Sequence, residues 1–381
     1  MAIQKLFRGT EIQFSSTAPS YTPKDDGALR FVTVDGTQGT EVLQQFIWNS
    51  GQWTEIPLGA DTAEILSTVA DVSEDLTGFV NRTDSELLYD PASRLLTLQP
   101  KAPATEFVVY YRGRSFTIST PLTLTLTASG GGRYIKFNPT TEALEEVLVP
   151  PYPEDLIKEC LVSYVYHNPN GFSLIFGDER HSAARDTQWH YSKHTEQGAV
   201  WKSGGVMSYT LNDDSAMTLE FSTPIVIADE DLIFNITHST GPLSYYNQQL
   251  EGAANLGVLY YDGTDFTELS PSTSPWRGIS QTAQYNPIVS GSGSLAIAPN
   301  NAYINYWVLF TNDSLSPVKL MLGQVAHTNF NDADAETFSG YDLPLPEVVV
   351  AYKIITRHNT NHTGNEAGLI IEAVNLLDGP S

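Results

Sequence analysis

Apolar residues recur along this chain with two different periods. Over most of its length they alternate with polar ones, as in Leu122-Thr-Leu-Thr-Leu-Thr127. One face of such a stretch is apolar and the other hydroxylated, which marks a half-buried strand. Similar runs predict strands at residues 29–34, 42–48, 52–56, 95–98, 107–111, 114–118, 134–137, 161–166, 217–221, 232–237, 256–261, 302–310, 318–322 and 348–356. Turn pairs fall between them, including Asp35-Gly36, Arg112-Gly113 and Asp262-Gly263. Trp48 and Trp53 flank Asn49-Ser-Gly51 and predict a cross-strand pair. One short helix is predicted around residues 332–338, and Pro344 and Pro346 mark a turn or an edge.

The second period occurs once. Ile65, Val69, Val72, Leu76 and Phe79 are spaced four, three, four and three. That is the a/d spacing of a coiled-coil seam, and identical chains meeting on an axis would bury it. The same spacing also fits an amphipathic helix lying on its own β-domain. The chain therefore reads as all-β: antiparallel β-sandwich or jelly-roll-like domains with a short coiled-coil-like helix near the N-terminus. The expected order is an N-terminal docking arm at 1–28, a small β-unit at 29–60, the heptad helix at 61–79, a β-domain at 80–150 and a distal β-sandwich at 151–381. The last boundary rests on Pro150, Pro151 and Pro153.

Composition narrows the partners. Twenty Lys and Arg stand against 44 Asp and Glu, a net charge of −24. Such a chain repels phosphate backbones and anionic bilayers, so neither nucleic acid nor membrane is expected as a partner. Charged residues make up only 17%, against about 25% in an average chain. Hydroxyls and amides must therefore carry much of the surface. No run approaches the length of a membrane helix, and residues 1–9 lack the apolar core of a signal peptide. A soluble protein made in a cytoplasm is expected. The single cysteine, Cys160, sits in a predicted strand and reads as a buried structural thiol.

Candidate chemistry is sparse. The densest polar cluster is Gly177-Asp-Glu-Arg-His-Ser-Ala-Ala-Arg-Asp186, with His190 and His194 just beyond. His190 and His194, four apart, would share a helix face and could hold a divalent metal with Asp186 or Glu179 as oxygen ligand. The competing reading is a loop pinned by Arg–carboxylate pairs, and it is favoured because the framing of a zinc site is missing. Asp213-Asp214 and Asp229-Glu-Asp231 read as solvated turns, because they lack the alternating ligand spacing of a Ca²⁺ loop. No nucleophile elbow, P-loop, dinucleotide fingerprint or His-Glu-x-x-His is present, so neither a catalytic residue nor a cofactor is assigned.

Several stretches resemble virion proteins of tailed bacteriophages. They are Phe79-Val-Asn-Arg-Thr-Asp-Ser, Tyr89-Asp-Pro-Ala-Ser-Arg-Leu-Leu-Thr-Leu98, Gly177-Asp-Glu-Arg-His181, Gln248-Gln-Leu-Glu-Gly-Ala-Ala-Asn-Leu256, Asn305-Tyr-Trp-Val-Leu-Phe-Thr-Asn-Asp313, Leu322-Gly-Gln324, Leu345-Pro-Glu347 and Ala351-Tyr-Lys-Ile354. After Asp-Glu-Arg-His the similar proteins are expected to carry Gly, where this chain has Ser182. The unit at 29–57 is similar to small Trp-bearing β-units near the starts of phage fibre proteins. The resemblance implies a virion context and no catalytic residue. A homotrimeric fibre or spike is the expected form, docked by its arm on a capsid, neck or tail. Binding of a host receptor or glycan by the distal domain is the alternative, and a polysaccharide depolymerase a more remote one.

Overall fold

The computed structural model describes six strands in the first 75 residues. From residue 76 onward it describes all but 149–158, 169–172, 185–191, 194–197, 211–216, 241–245, 277, 280–281, 290–291, 339–347, 359–367 and 378–381. The chain divides into two compact units, Met1–Leu76 with Arg112–Arg114, and Thr77–Tyr111 with Ser115–Ser381.

In the first unit, Leu29–Val34, Val42–Asn49 and Gln52–Ile56 form an antiparallel meander, with Phe14–Ser15 parallel on its edge. Trp48 lies opposite Trp53, in the register that the Asn/Gly turn requires. Within the expected arm, Gln4–Phe7 pairs with Thr10–Ile12 in a short hairpin. Ile65, Val69 and Val72 of the predicted seam lie outside the described residues.

The second unit is built almost entirely of strands, nearly all antiparallel. A four-stranded sheet has the order Ala143–Leu148, Gly131–Asn138, Leu161–His167, Ser173–Asp178. A six-stranded sheet runs Phe266–Ser272, Leu256–Tyr261, Val318–His327, Tyr303–Thr311, Val348–His358, Gly368–Asn375. These two sheets face each other through Tyr134, Tyr164, Tyr166 and Ile175 on one side and Leu259, Trp307, Leu309 and Met321 on the other. Their outer faces are covered as well. Ile135, Phe137, Val162 and Val165 join a core with the strands at 85–118, while Ile304, Val308, Phe310 and Leu320 join one with the strands at 219–236. Both sheets are thus buried on two faces, and their central strands read as continuous apolar runs. The outlying strand Leu122–Thr125 keeps the half-buried alternation seen in its sequence.

Two features differ from the sequence expectation. The strands Gly131–Asn138 and Leu161–His167 pair across the Pro-rich segment, so no unit boundary falls at 150/151. The strands Ala143–Leu148 and Leu161–His167 instead lie on opposite sides of Gly131–Asn138 in one sheet. Phe79 belongs to no helical seam. It lies in the strand Gly78–Phe79, paired with Phe107–Tyr111, and its fully buried ring stacks on Phe107 at 6.0 Å. Leu76 and Thr77 just before it are not helical. The predicted helix at 332–338 is found at Phe330–Ala335, capped by the Asn329 side chain, which accepts from the Asp332 N–H at 3.0 Å.

Candidate functional site

The strand Ser173–Asp178 continues into Glu179, Arg180 and His181, and alternation sends their side chains to opposite sides. Asp178 and Arg180 serve one side. Arg180 grips Asp178 in a two-pronged pair, Nε to Oδ1 at 2.8 Å and Nη2 to Oδ2 at 2.7 Å. Its Nη1 donates to the Ser85 carbonyl at 2.9 Å and to the Ser85 hydroxyl at 2.6 Å. Arg82 adds a third contact to Asp178 at 3.3 Å and donates to the Ile233 carbonyl at 3.2 Å. Burial alone would raise the Asp178 pKa, but the Arg180 and Arg82 guanidiniums hold it below the usual carboxylate value. The reading of a segment pinned by Arg–carboxylate pairs is what this half of the motif shows.

Glu179 and His181 serve the other side, where they meet a hairpin. Ile225–Asp229 and Leu232–Ile236 pair so closely that Glu230 and Asp231 alone make the turn. Glu230 has φ +50°, a left-handed conformation that Asn or Gly adopts more readily. This turn is not solvated, contrary to the expectation from its three adjacent acids. Asp229 is fully buried, and the side chains of Glu230 and Asp231 are 1% and 14% exposed. Among the described residues, 179–182 are laid over this charged turn between two apolar strands.

Four carboxylates consequently surround one imidazole. His181 Nδ1–H donates to Asp231 Oδ1 at 2.7 Å, and Glu230 Oε2 lies 3.8 Å from the same nitrogen. Nε2 faces Glu179 Oε2 at 3.6 Å and Asp229 Oδ2 at 4.0 Å. The second oxygen of Asp231 accepts from the Ser182 N–H at 2.8 Å, which fixes the carboxylate that fixes the ring. Burial would lower the His181 pKa, but Asp231, Glu179, Asp229 and Glu230 together raise it well above the ordinary value. Glycine is needed beside this segment. Gly78 has φ +131°, and a Cβ there would stand 2.6 Å from the His181 carbonyl oxygen. The Phe79 N–H donates to that carbonyl at 2.8 Å.

On the Asp178 side the surface opens into a cleft of about 760 Å³, bordered by Arg82, Leu88, Tyr89, Phe234, Asn235 and Tyr246. Of the sequence candidates, Asp186, His190 and His194 lie outside the described residues, while Glu179 is placed beside His181. The residues that sequence reasoning missed are His181 as a centre and Asp229–Asp231 as its partners. The available signal was three acids in a two-residue hairpin turn, where Asn-Gly would be ordinary. Cys160 is buried, and burial followed by the neighbouring Glu159 charge pushes its thiol pKa up to about 12. Among the described residues no helix is long and apolar enough to cross a membrane. The chain matches no protein-family model, and neither a curated protein nor a solved structure is detectably similar to it.

Proposed function

We propose that this protein is a structural component of a bacteriophage virion, a fibre or spike, rather than an enzyme. The observation that carries the reading is modular. A small N-terminal β-unit and a large β-body are each compact by themselves, and the only heptad spacing of the sequence lies at the end of the first. Such an order suits an arm and unit that dock on a capsid, neck or tail, a short trimeric seam, and a sandwich-like distal body. In this reading Ile65, Val69 and Val72 of three chains pack together, with Phe79 kept in the body. The low density of charge and the wealth of hydroxyls favour packing against copies of itself.

Light scattering on the purified chain tests it. A mass near three times 41.8 kDa is the expected result. The paired substitution Val69→Asp with Val72→Asp should then lower it to that of one chain. A wild-type monomer would remove the trimeric fibre.

A second reading, host attachment through a glycan, is favoured by the cleft. Tyr89, Phe234 and Tyr246 border it beside Arg82, Asp178 and Asn235, a mixture of ring faces and planar polar groups suited to a sugar. Binding on a glycan array that is lost in Tyr246→Ala would support it.

A further inference from the structure

We propose that Lys319 and Asp313 join in an intramolecular isopeptide bond, an amide between Lys319 Nζ and Asp313 Cγ, with Glu268 relaying the proton. The proposal stands independently of any place in a virion. Lys319 lies two residues before Met321 in Val318–His327, so strand alternation turns both side chains towards the four-stranded sheet. The side chains of Lys319 and Asp313 are fully buried, and that of Glu268 is 13% exposed. Nζ lies 2.9 Å from Asp313 Oδ2 and 3.5 Å from Glu268 Oε1. Gly257 stands beside Lys319 in the parallel register, and a Cβ there would overlap Glu268 Oε1. Glycine thus makes the room in which the second acid reaches the amine.

Asp313 is held as an electrophile. Its Oδ1 accepts the Phe176 N–H and the Leu315 N–H, each at 3.0 Å. Two backbone donors on one oxygen stabilise the negative charge that a tetrahedral intermediate places there. Oδ2 accepts the Ser316 N–H at 3.2 Å and faces the Lys319 ammonium. The carboxyl group is already divided into an oxygen that stays and one that leaves.

The step is a dehydration without change of oxidation state. Burial lowers the Lys319 pKa, but Asp313 and Glu268 together raise it above the ordinary value, so the resting pair is ionic. The ammonium passes one proton to Oδ2, a transfer that the dry interior assists because two charges vanish together. The Nζ lone pair then attacks Cγ, and the C=O electron pair moves onto Oδ1. Nζ gives up a second proton, which Glu268 relays to the Oδ2 hydroxyl. The Cγ–Oδ2 bond breaks, the Oδ1 carbonyl reforms and one water leaves, with Glu268 in its starting state. Burial raises the Glu268 pKa against the opposing Lys319 charge, which favours the protonated form that can lend a proton to this relay. An amide in bulk water hydrolyses rather than forms, but reactants held in place act at effective molarities of up to about 10⁸ M. The bond staples the turn after Tyr303–Thr311 to the start of Val318–His327.

The test is the intact mass of the full chain, unfolded in denaturant after prolonged incubation at neutral pH. The wild type should be lighter than its sequence by one water. Proteolysis and tandem mass spectrometry should place that loss in a peptide joining Asp313 to Lys319, with the trypsin site after Lys319 left uncut. Lys319→Arg keeps a buried cation without the reactive amine, and it should have its full mass. Glu268→Gln keeps the shape of the acid and should form the bond about a hundredfold more slowly. A wild type of full mass would overturn the proposal. So would a water loss that Lys319→Arg retains, the mark of an aspartyl cyclised on its own backbone. Formation at the wild-type rate in Glu268→Gln would overturn the role given to Glu268.

Discussion

His167 and His181 stand at opposite ends of the same antiparallel strand pair, and both are buried. His167 is 2.9 Å from the Tyr89 hydroxyl and faces the Arg133 charge. Burial, then that guanidinium, brings its pKa down to about 4. His181 has four carboxylates around it, and its pKa rises instead. Burial disfavours the charged form of both rings, so it does not separate them. The neighbours do: burial, helped by the Arg133 cation, keeps one imidazole neutral, and four anions outweigh burial to draw a proton to the other.

The largest test of that lesson lies at Lys319. Its ammonium is fully buried, 2.9 Å from Asp313 and 3.5 Å from Glu268. Burial would lower its pKa, but Asp313 and Glu268 hold it above the ordinary lysine value. Asp313 in turn accepts the Phe176 N–H at 3.0 Å, so this pair links the two facing sheets. Lys319→Ala leaves the Asp313 charge uncompensated and should cost about 3–5 kcal/mol, read by urea unfolding.

Next in size is the acid limb at His167. Its folded pKa lies below the unfolded value near 6.5, so below pH 6.5 the unfolded chain binds the proton first. Stability is full above 6.5 and is lost as pH falls to about 4, by roughly 3 kcal/mol from this group. His167→Gln should flatten that limb in thermal scans. His181 runs the other way. Its contribution is present below pH 6.5 and is lost as pH rises through its raised pKa.

Gly78→Ala probes the packing around His181 rather than its charge. It combines a forbidden φ with a Cβ 2.6 Å from a carbonyl oxygen, and a loss of about 2 kcal/mol is expected. The smallest effect is at Cys160. With its pKa near 12 and no exposure, native protein should not react with a thiol reagent, and labelling should follow global unfolding only.

Strands were legible because their cues are local. Alternation, Asp-Gly and Arg-Gly turns and the Trp48–Trp53 pair each lie within a dozen residues. The boundary at Pro150 misled because proline reports that a strand stops, not where the chain goes next. Asp229–Asp231 misled for a similar reason. Its acids look solvated until residues 179–182, far away in sequence, are laid over them. Phe79 fits a heptad by spacing, but its partner Phe107 lies on another strand, which no local period reveals.

The pairing of Leu256–Tyr261 with Val318–His327 is parallel, unlike its neighbours in the six-stranded sheet. A parallel partner cannot be reached by a tight hairpin, so the chain between must first be made and folded. During synthesis the strand at 256–261 therefore waits for a segment that leaves the ribosome later, while Tyr303–Thr311 closes quickly on Val318–His327 through a short turn. Assembly of this sheet should begin from that late hairpin and spread outward in both directions. Truncation before residue 348 would leave Tyr303–Thr311 with a long, apolar, open edge, a template for aggregation rather than a smaller stable domain.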